Sequence, residues 1–216
     1  MSKWVYMGLL MMSVMGTALA QETDVIKLLP PEMEGGKPLM QTLNERHSTR
    51  EFDIKPLAPQ ILSNLLWAAN GVNRADSGKR TAPSARDWRE MDVYVVMAEG
   101  AYLYDPQPHT LKRVVASDIR KLAGVQDFVA TVPVNLVYVA DLKRMSDAGP
   151  DQKALYSATD TGFIAQNVYL YCASAGLATV VRGSLDREAL GIALRLNSHQ
   201  QIILAQSVGY PISSTR

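Results

Sequence analysis

Residues 152–175, QKALYSATDTGFIAQNVYLYCASA, decide the fold of this chain. Apolar and small side chains occur on most sides of the helix that this stretch predicts, which is typical of a helix buried all round. A single domain has little room for such a helix unless a second chain covers one side. Gly162, in the middle, costs about 1 kcal/mol relative to Ala, and close helix–helix contact would explain that cost. The stretch therefore predicts a long central helix, capped by Gly176, and a homodimer.

The segments around this helix predict an α+β fold. Apolar residues at helical spacing follow Pro59, a favoured first-turn residue, until Asn70 and Gly71 end the helix. Short runs of β-branched and aromatic residues indicate strands. Helices and strands alternate irregularly, which favours a central, mostly antiparallel sheet flanked by helices. The predicted strands are 93–97, 102–104, 110–114, 134–140 and 202–208, and further helices are predicted near 39–43 and 186–196.

The N-terminal segment has the layout of a secretory signal. Residues 1–20 carry one charged side chain, Lys3, followed by an apolar run and a small-x-small site that ends at Ala20. We expect cleavage near Ala20 and a periplasmic or secreted protein. Residues 21–37 are polar and contain paired Pro and paired Gly, which predicts an irregular segment. The folded domain is expected to comprise residues 38–216.

Charge and cysteine content exclude several classes of function. The chain has 22 basic and 21 acidic residues, and Lys3 leaves with the signal segment, so the expected mature chain is formally neutral. A neutral chain gives no electrostatic reason to bind nucleic acid or an anionic bilayer. No second apolar run is long enough to span a membrane, so we expect no stable membrane insertion. The one cysteine, Cys172, is predicted to be a buried hydrophobic residue.

Residue spacing argues against several kinds of site. His47, His109 and His199 are scattered, and no pair has the spacing of metal ligands, so no metal site is predicted. The sequence contains no G-x-S-x-G elbow, no G-x-G-x-x-G turn and no P-loop. The polar segment 72–89 shows no periodicity and predicts a long loop, and such loops in compact domains are usually functional or disordered.

Hydrogen-bond donors are concentrated in the segment Arg46-His47-Ser48-Thr49-Arg50, where the first predicted helix ends. In an extended run positions 46, 48 and 50 point the same way, and in a helix 46 and 50 share a face. Either geometry brings two guanidinium groups together, and they repel unless an anion lies between them. The pattern predicts a phosphate site. The alternative is two solvated surface arginines at a helix end.

Four segments follow one another in a recognisable order. They are RHSTREF (46–52), PQILSNLLWAANG (59–71), RTAPSA (80–85) and QNVYLYCASAGLATV (166–180). Together they resemble the nitroreductase family of FMN-dependent oxidoreductases, close to the branch that includes the thiazole/oxazole-type peptide dehydrogenases. The resemblance implies a homodimer with non-covalently bound FMN, a small-molecule substrate, and NAD(P)H as a possible electron donor.

The resemblance also implies which residues contact FMN. Arg46 and Ser48 would hold the phosphate, and Arg50 would lie near the N1/O2 edge of the isoalloxazine, where positive charge stabilises reduced flavin. Arg182 and Arg216 are expected to join these arginines around the phosphate and the flavin edge. The matching positions are Arg46, His47, Ser48, Arg50, Thr81, Ala82, Pro83, Ser84, Gln126, Arg182, Gly183, Ser184 and Arg216.

Three further segments have roles implied by the same resemblance. The loop 81–84 would reach the flavin across the dimer interface. The backbone of the turn 182–184 would approach flavin N5 and O4, and Gln126 would hydrogen-bond the pyrimidine edge. Tyr169 and Tyr171 are expected to lie in the core or at the interface.

The implied activity is two-electron transfer between bound flavin and a small organic substrate. No side chain needs to act as acid or base, so no catalytic residue is predicted. Free NAD(P)H should be scarce outside the cytoplasm. This leaves open a reductase with another donor, or a dehydrogenase that passes electrons onward. An exported flavin- or small-ligand-binding protein with the same fold and no turnover is the second alternative.

Overall fold

A seven-stranded sheet forms the centre of the chain. The computed structural model describes residues 25–212, so the predicted signal segment and Arg216 lie outside the described residues. The strands are β1 (Val25–Lys27), β2 (Val72–Arg74), β3 (Lys79–Arg80), β4 (Met91–Met97), β5 (Gly100–Asp105), β6 (Thr110–Val115), β7 (Val134–Asp141), β8 (Ala178–Arg182) and β9 (Gln200–Gly209). The sheet order is β1-β6-β5-β4-β7-β9-β8, and β2 and β3 form a separate ribbon. Each neighbouring pair in the sheet is antiparallel, which confirms the predicted sheet.

Helices flank this sheet on both faces. Within residues 25–212 the α-helices are α1 (Leu39–Glu45), α2 (Pro59–Asn70), α3 (Pro150–Ala175) and α4 (Arg187–Ala193). The end of α3 has Gly176 in the left-handed region at φ 70°, the cap that the sequence predicts. None of the helices in the described part of the chain is both long and apolar enough to cross a membrane.

The sheet buries side chains on both faces because successive strand residues point in opposite directions. On β7, Leu136 and Tyr138 pack with residues of α2 and α3. Val137 and Val139 pack on the other face with α4 and with short 3₁₀ helices at 120–123 and 127–130. Burial on both sides explains the continuous apolar run at 134–140. The predicted α+β fold with a long helix is confirmed.

In the single chain, α3 is buried along one face only. Its buried positions recur at helical spacing from Ser157 to Cys172, whereas Leu155 is 61% exposed and Phe163 is 44% exposed. A Cβ added to Gly162 would meet no atom within 4 Å, so no contact inside the chain requires this glycine. The exposed side is the one that the sequence expects a second chain to cover, and that dimer stays a prediction.

The structure also differs from the predicted organisation in two short segments. β1 pairs with β6 inside the segment 21–37, which the sequence predicts to be irregular, and Leu28 joins the core. In the predicted loop 72–89, β2 and β3 pair with each other. Strands of two or three residues are too short to show an alternating pattern, so sequence periodicity does not reveal them.

Candidate functional site

The segment 46–50 runs from the end of α1 to the edge strand β8. Arg46 closes α1, since its backbone N–H donates to the Thr42 carbonyl (2.9 Å). The backbone N–H of Thr49 donates to the Thr179 carbonyl of β8 (3.0 Å). The segment is therefore fixed to two regular elements, although His47, Ser48 and Arg50 are exposed to solvent.

Tyr169 on α3 connects this segment to β8. Its hydroxyl oxygen accepts the backbone N–H of Val181 (3.0 Å) and hydrogen-bonds Ser48 Oγ (2.8 Å). The guanidinium of Arg46 lies 5.3 Å from the centre of the Tyr169 ring, a cation–π distance. One tyrosine thus positions both groups that the resemblance assigns to the phosphate. Sequence reasoning missed this role because a tyrosine in an apolar helix is usually a core residue.

The positive charges of Arg46 and Arg50 are not neutralised by a neighbouring carboxylate. Among residues 25–212 neither side chain forms an ion pair; Lys37, not an arginine, pairs with Glu45 (2.5 Å). His47 hydrogen-bonds the Glu45 carbonyl through Nδ1 (2.7 Å). An anion with several acceptor oxygens matches such donors. Within the same residues no cluster of His, Cys, Asp and Glu could hold a metal ion.

A cavity of about 180 Å³ opens beside this segment. Sites for small molecules and cofactors usually measure about 300–1,000 Å³. The cavity that one chain offers here is therefore too small to enclose a molecule as large as a flavin nucleotide. Its lining includes Lys37, Glu45, His47, Thr49, Tyr169 and Thr179.

We predict that Tyr169→Phe lowers the free energy of unfolding by about 1–2 kcal/mol, because the partly buried N–H of Val181 loses its acceptor. The same change should weaken FMN binding several-fold, because Ser48 loses its partner. Denaturant titration and flavin fluorescence measure the two effects. Tyr171→Phe is the matched control, since its hydroxyl hydrogen-bonds α2, through the Ile61 carbonyl (3.4 Å) and Asn64, instead of the segment 46–50. Equal effects of the two substitutions would contradict this role of Tyr169.

The turn 182–184 lies against the segment 124–126 beyond the end of β8. The Val125 N–H donates to the Ser184 carbonyl (3.3 Å). Gly183 and Ser184 are exposed, and Gln126 Oε1 lies 3.5 Å from Arg182 Nη1. The structure therefore brings together Gln126 and the turn that the resemblance assigns to the flavin edge.

The side chain of Arg182 does not join the other arginines. It is 5% exposed, and its Nη atoms donate to the Ala123 carbonyl (2.7 Å) and to Asn135 Oδ1 (2.9 Å). Burial lowers the pKa of this guanidinium to about 10. The expectation that Arg182 shares an anion with Arg46 and Arg50 is wrong, because its place in β8 directs its side chain into the protein. Its backbone contact with flavin stays a prediction.

The loop carrying Thr81, Ala82, Pro83 and Ser84 follows β3 and is hydrogen-bonded to the end of α2. The Thr81 N–H donates to the Gly71 carbonyl (2.9 Å). Ala82 is buried and Pro83 is exposed. The residues of this loop are therefore held by their neighbours on one side and reach solvent on the other.

The same loop contacts α3 far from the segment 46–50. The Ala85 N–H donates to Asp160 Oδ2 (3.0 Å). Asp160 precedes Tyr169 by nine residues, which is about 13 Å along a helix axis. One chain therefore places the loop and the segment 46–50 at different levels of α3, and a second chain would be needed to bring such a loop to the segment.

A cavity of about 330 Å³ adjoins this loop. The β2–β3 ribbon contributes Arg74, Lys79 and Arg80 to its lining, and α3 contributes Asp160. Sequence reasoning assigned none of these residues to a site. A loop without periodicity gives no indication of which side chains face inward, so no pattern could have revealed them.

Comparison with known proteins assigns the chain to a family. The model of the Nitroreductase family matches residues 43–210, most of the chain. A protein from Methanocaldococcus jannaschii that carries the name nitroreductase is 30% identical over 191 residues, which cover 84% of this chain and 96% of that protein.

Solved structures agree with this assignment. A structure from Ralstonia eutropha, also named a nitroreductase, is 48% identical with a TM-score of 0.84 and covers 88% of this chain and 90% of its own. The NADPH:FMN oxidoreductase of Vibrio harveyi shares the fold at 20% identity, with a TM-score of 0.59 over 81% of this chain and 69% of that one. The chain described here belongs to the nitroreductase family.

Proposed function

We propose that the chain forms a homodimeric FMN-dependent oxidoreductase that transfers two electrons to or from a small organic substrate. The observation that carries this proposal is the pair of un-neutralised guanidinium groups, Arg46 and Arg50, on either side of Ser48. The shared fold with an NADPH:FMN oxidoreductase supports FMN as the cofactor.

The residues at 46–50 fit a phosphate. The ring of Tyr169 already orients Arg46, and the hydroxyl of Tyr169 orients Ser48. Little side-chain freedom is therefore lost when an anion binds. The segment presents donors but no carboxylate that would repel a dianion. Arg50 is exposed and remains available for a second part of the same ligand.

The size of the neighbouring cavity supports a site shared by two chains. One chain leaves only about 180 Å³ beside Tyr169, and its loop 81–84 lies about 13 Å away along α3. The exposed Leu155 and Phe163 give α3 an apolar face on which a second chain can pack. In the proposed dimer, the loop of one protomer completes the site of its partner.

The chain's residues then act by position and charge. Bound FMN would supply the two-electron chemistry. Arg46 and Ser48 bind the phosphate, and Arg50 provides positive charge near the flavin edge. The exposed backbone at Gly183 allows close approach of main chain to ligand. No acid or base is assigned among these residues.

The visible spectrum of the purified protein tests the proposal. We expect a yellow protein, or one that becomes yellow on addition of FMN, and a protein that does neither would overturn the flavin assignment. Anaerobic mixing with NADH or NADPH then identifies the donor. Rapid bleaching indicates a reductase, and no bleaching with either favours a dehydrogenase or a binding protein without turnover.

We also propose that the protein acts outside the cytoplasm, on the basis of the signal-like residues 1–20. The expected result is a mature chain that begins near Gln21, which N-terminal sequencing of protein from a fractionated cell would detect. An intact Met1 in the cytoplasmic fraction alone would contradict it. Both FMN and an electron donor would then have to reach the protein after export.

A further inference from the structure

The loop that follows Ser84 has an unusual backbone. Arg86, Asp87 and Arg89 adopt positive φ angles of 50°, 57° and 50°. Residues with a side chain seldom occupy this left-handed region, at a cost of about 1–2 kcal/mol each. Such strain persists only where surrounding contacts fix the conformation. The contacts of this loop therefore determine whether it keeps its shape.

Two carboxyl groups and one hydroxyl hold the base of the loop. Ser84 Oγ accepts the Arg89 N–H (2.8 Å) and donates to Glu90 Oε2 (3.4 Å). The Ala85 N–H donates to Asp160 Oδ2 (3.0 Å). Both ends of the strained segment therefore depend on Glu90 and Asp160.

These two carboxyl groups lie together inside the protein. Glu90 is 0% exposed and Asp160 is 2% exposed. They contact consecutive residues of the loop, Ser84 and Ala85, and Glu90 Oε1 has no hydrogen-bond partner in the described part of the chain. A second carboxylate so close repels a charge on Glu90, so a proton on Glu90 is favoured. Burial, and next to it the charge of Asp160, raise the pKa of Glu90 to about 7.

The cation that interacts with Glu90 is occupied by other partners. Arg144, the cation that senses the charge of Glu90, pairs with Asp92 (2.9 Å) and Asp141 (3.4 Å). Neither carboxyl of the buried pair forms an ion pair within residues 25–212. The charged residues that line the same cavity as Asp160 are Arg74, Lys79, Arg80, Asp87 and Arg89. Arg144, with its partners Asp92 and Asp141, is within electrostatic reach of Glu90.

We propose that Glu90 and Asp160 are positioning residues that hold the loop 84–90 in its strained shape, and that loss of the proton on Glu90 releases the loop. The proposal rests on the proposed function in one respect: the held loop is the one assigned to the flavin site of the partner protomer. While the proton is present, the protonated Glu90 carboxyl does not repel Asp160. Glu90 Oε2 then accepts a hydrogen bond from Ser84, and Asp160 Oδ2 accepts one from Ala85. Without the proton, two adjacent carboxylates repel and the strain is no longer balanced.

The first test measures FMN affinity against pH. The dissociation constant of the wild-type protein should rise about tenfold from pH 6 to pH 8.5, since one buried charge is added at the base of the loop. Glu90→Gln keeps the shape of the side chain and provides a hydrogen-bond donor at every pH. The FMN affinity of this variant should therefore change less than twofold over the same range. The wild type and Glu90→Gln bind the same FMN phosphate, so protonation of that phosphate changes both dissociation constants equally. Glu99→Gln, at an exposed carboxylate, should retain the wild-type slope.

The second test needs no flavin. Hydrogen exchange of residues 84–90, corrected for intrinsic pH dependence, should lose about tenfold protection above pH 7 in the wild type and keep it in Glu90→Gln and Asp160→Asn. If protection falls with pH equally in the wild type and both variants, the proposal is overturned. It is also overturned if each variant differs from the wild type by the same factor at every pH, because that result indicates a purely structural role. If FMN binds none of these proteins, the proposed function fails, and the exchange experiment still decides this inference.

Discussion

Replacing Arg46 with Ala should weaken FMN binding by about tenfold to a hundredfold. A hydrogen bond to a charged group contributes about 1.5–3 kcal/mol, and each 1.4 kcal/mol is a factor of ten in the dissociation constant. The guanidinium forms no ion pair within residues 25–212 and packs on the Tyr169 ring, so its removal leaves no unpaired carboxylate behind. Fluorescence titration of the apoprotein with FMN measures the change.

A matched control separates the local contact from net charge. Lys143→Ala removes one positive charge from an exposed turn, and FMN affinity should then stay within twofold of the wild type. Riboflavin, which lacks the phosphate, gives a second control. Its affinity should respond little to Arg46→Ala, and an equal loss for riboflavin and FMN would show that Arg46 does not bind the phosphate.

Placing a charge on the exposed face of α3 should abolish both the dimer and flavin binding. Phe163→Glu puts a carboxylate where we expect a second chain to pack, and burying an unpaired charge costs several kcal/mol. The dimer dissociation constant should rise by more than about a hundredfold. FMN binding should be lost with it, because one chain leaves only about 180 Å³ beside the phosphate segment.

Sedimentation at several concentrations, with and without FMN, measures both effects. Ile192→Glu is the control, because Ile192 is 73% exposed on α4 and the same charge there should leave the dimer intact. Far-ultraviolet circular dichroism establishes that Phe163→Glu is folded. A folded monomer that binds FMN with wild-type affinity would contradict a site shared between two chains.

The fold was largely predictable because its strongest elements are long and locally specified. The helix at 150–175 has apolar residues over seven turns and a glycine cap, and the strand at 134–141 carries an apolar run at 136–140 that is buried on both faces. The ribbon β2–β3 was not predictable, since strands of two or three residues are too short to show an alternating pattern. The exposed apolar side of α3 follows from the sequence pattern, because a helix apolar on most sides exceeds what one domain can cover.

The candidate site was predictable only where donors are close together in the sequence. The segment 46–50 is such a case, and the structure fixes it between α1 and β8. Arg182 shows the limit, because strand register decides whether its side chain faces a ligand or the interior. Glu90 and Asp160 are separated by 70 positions, and neither has a local pattern that would indicate their partnership. Contacts of this kind follow from the tertiary fold alone.

The short strand β1 has a practical consequence for protein production. It covers the outer backbone edge of β6 through three residue pairs, and Leu28 continues into the core. A chain shortened to begin at Pro38, where the sequence places the domain boundary, would leave the hydrogen-bonding groups of β6 unpaired. Exposed sheet edges recruit strands from other molecules. Such a truncation would therefore aggregate, whereas a chain that begins at Gln21 would keep the edge protected.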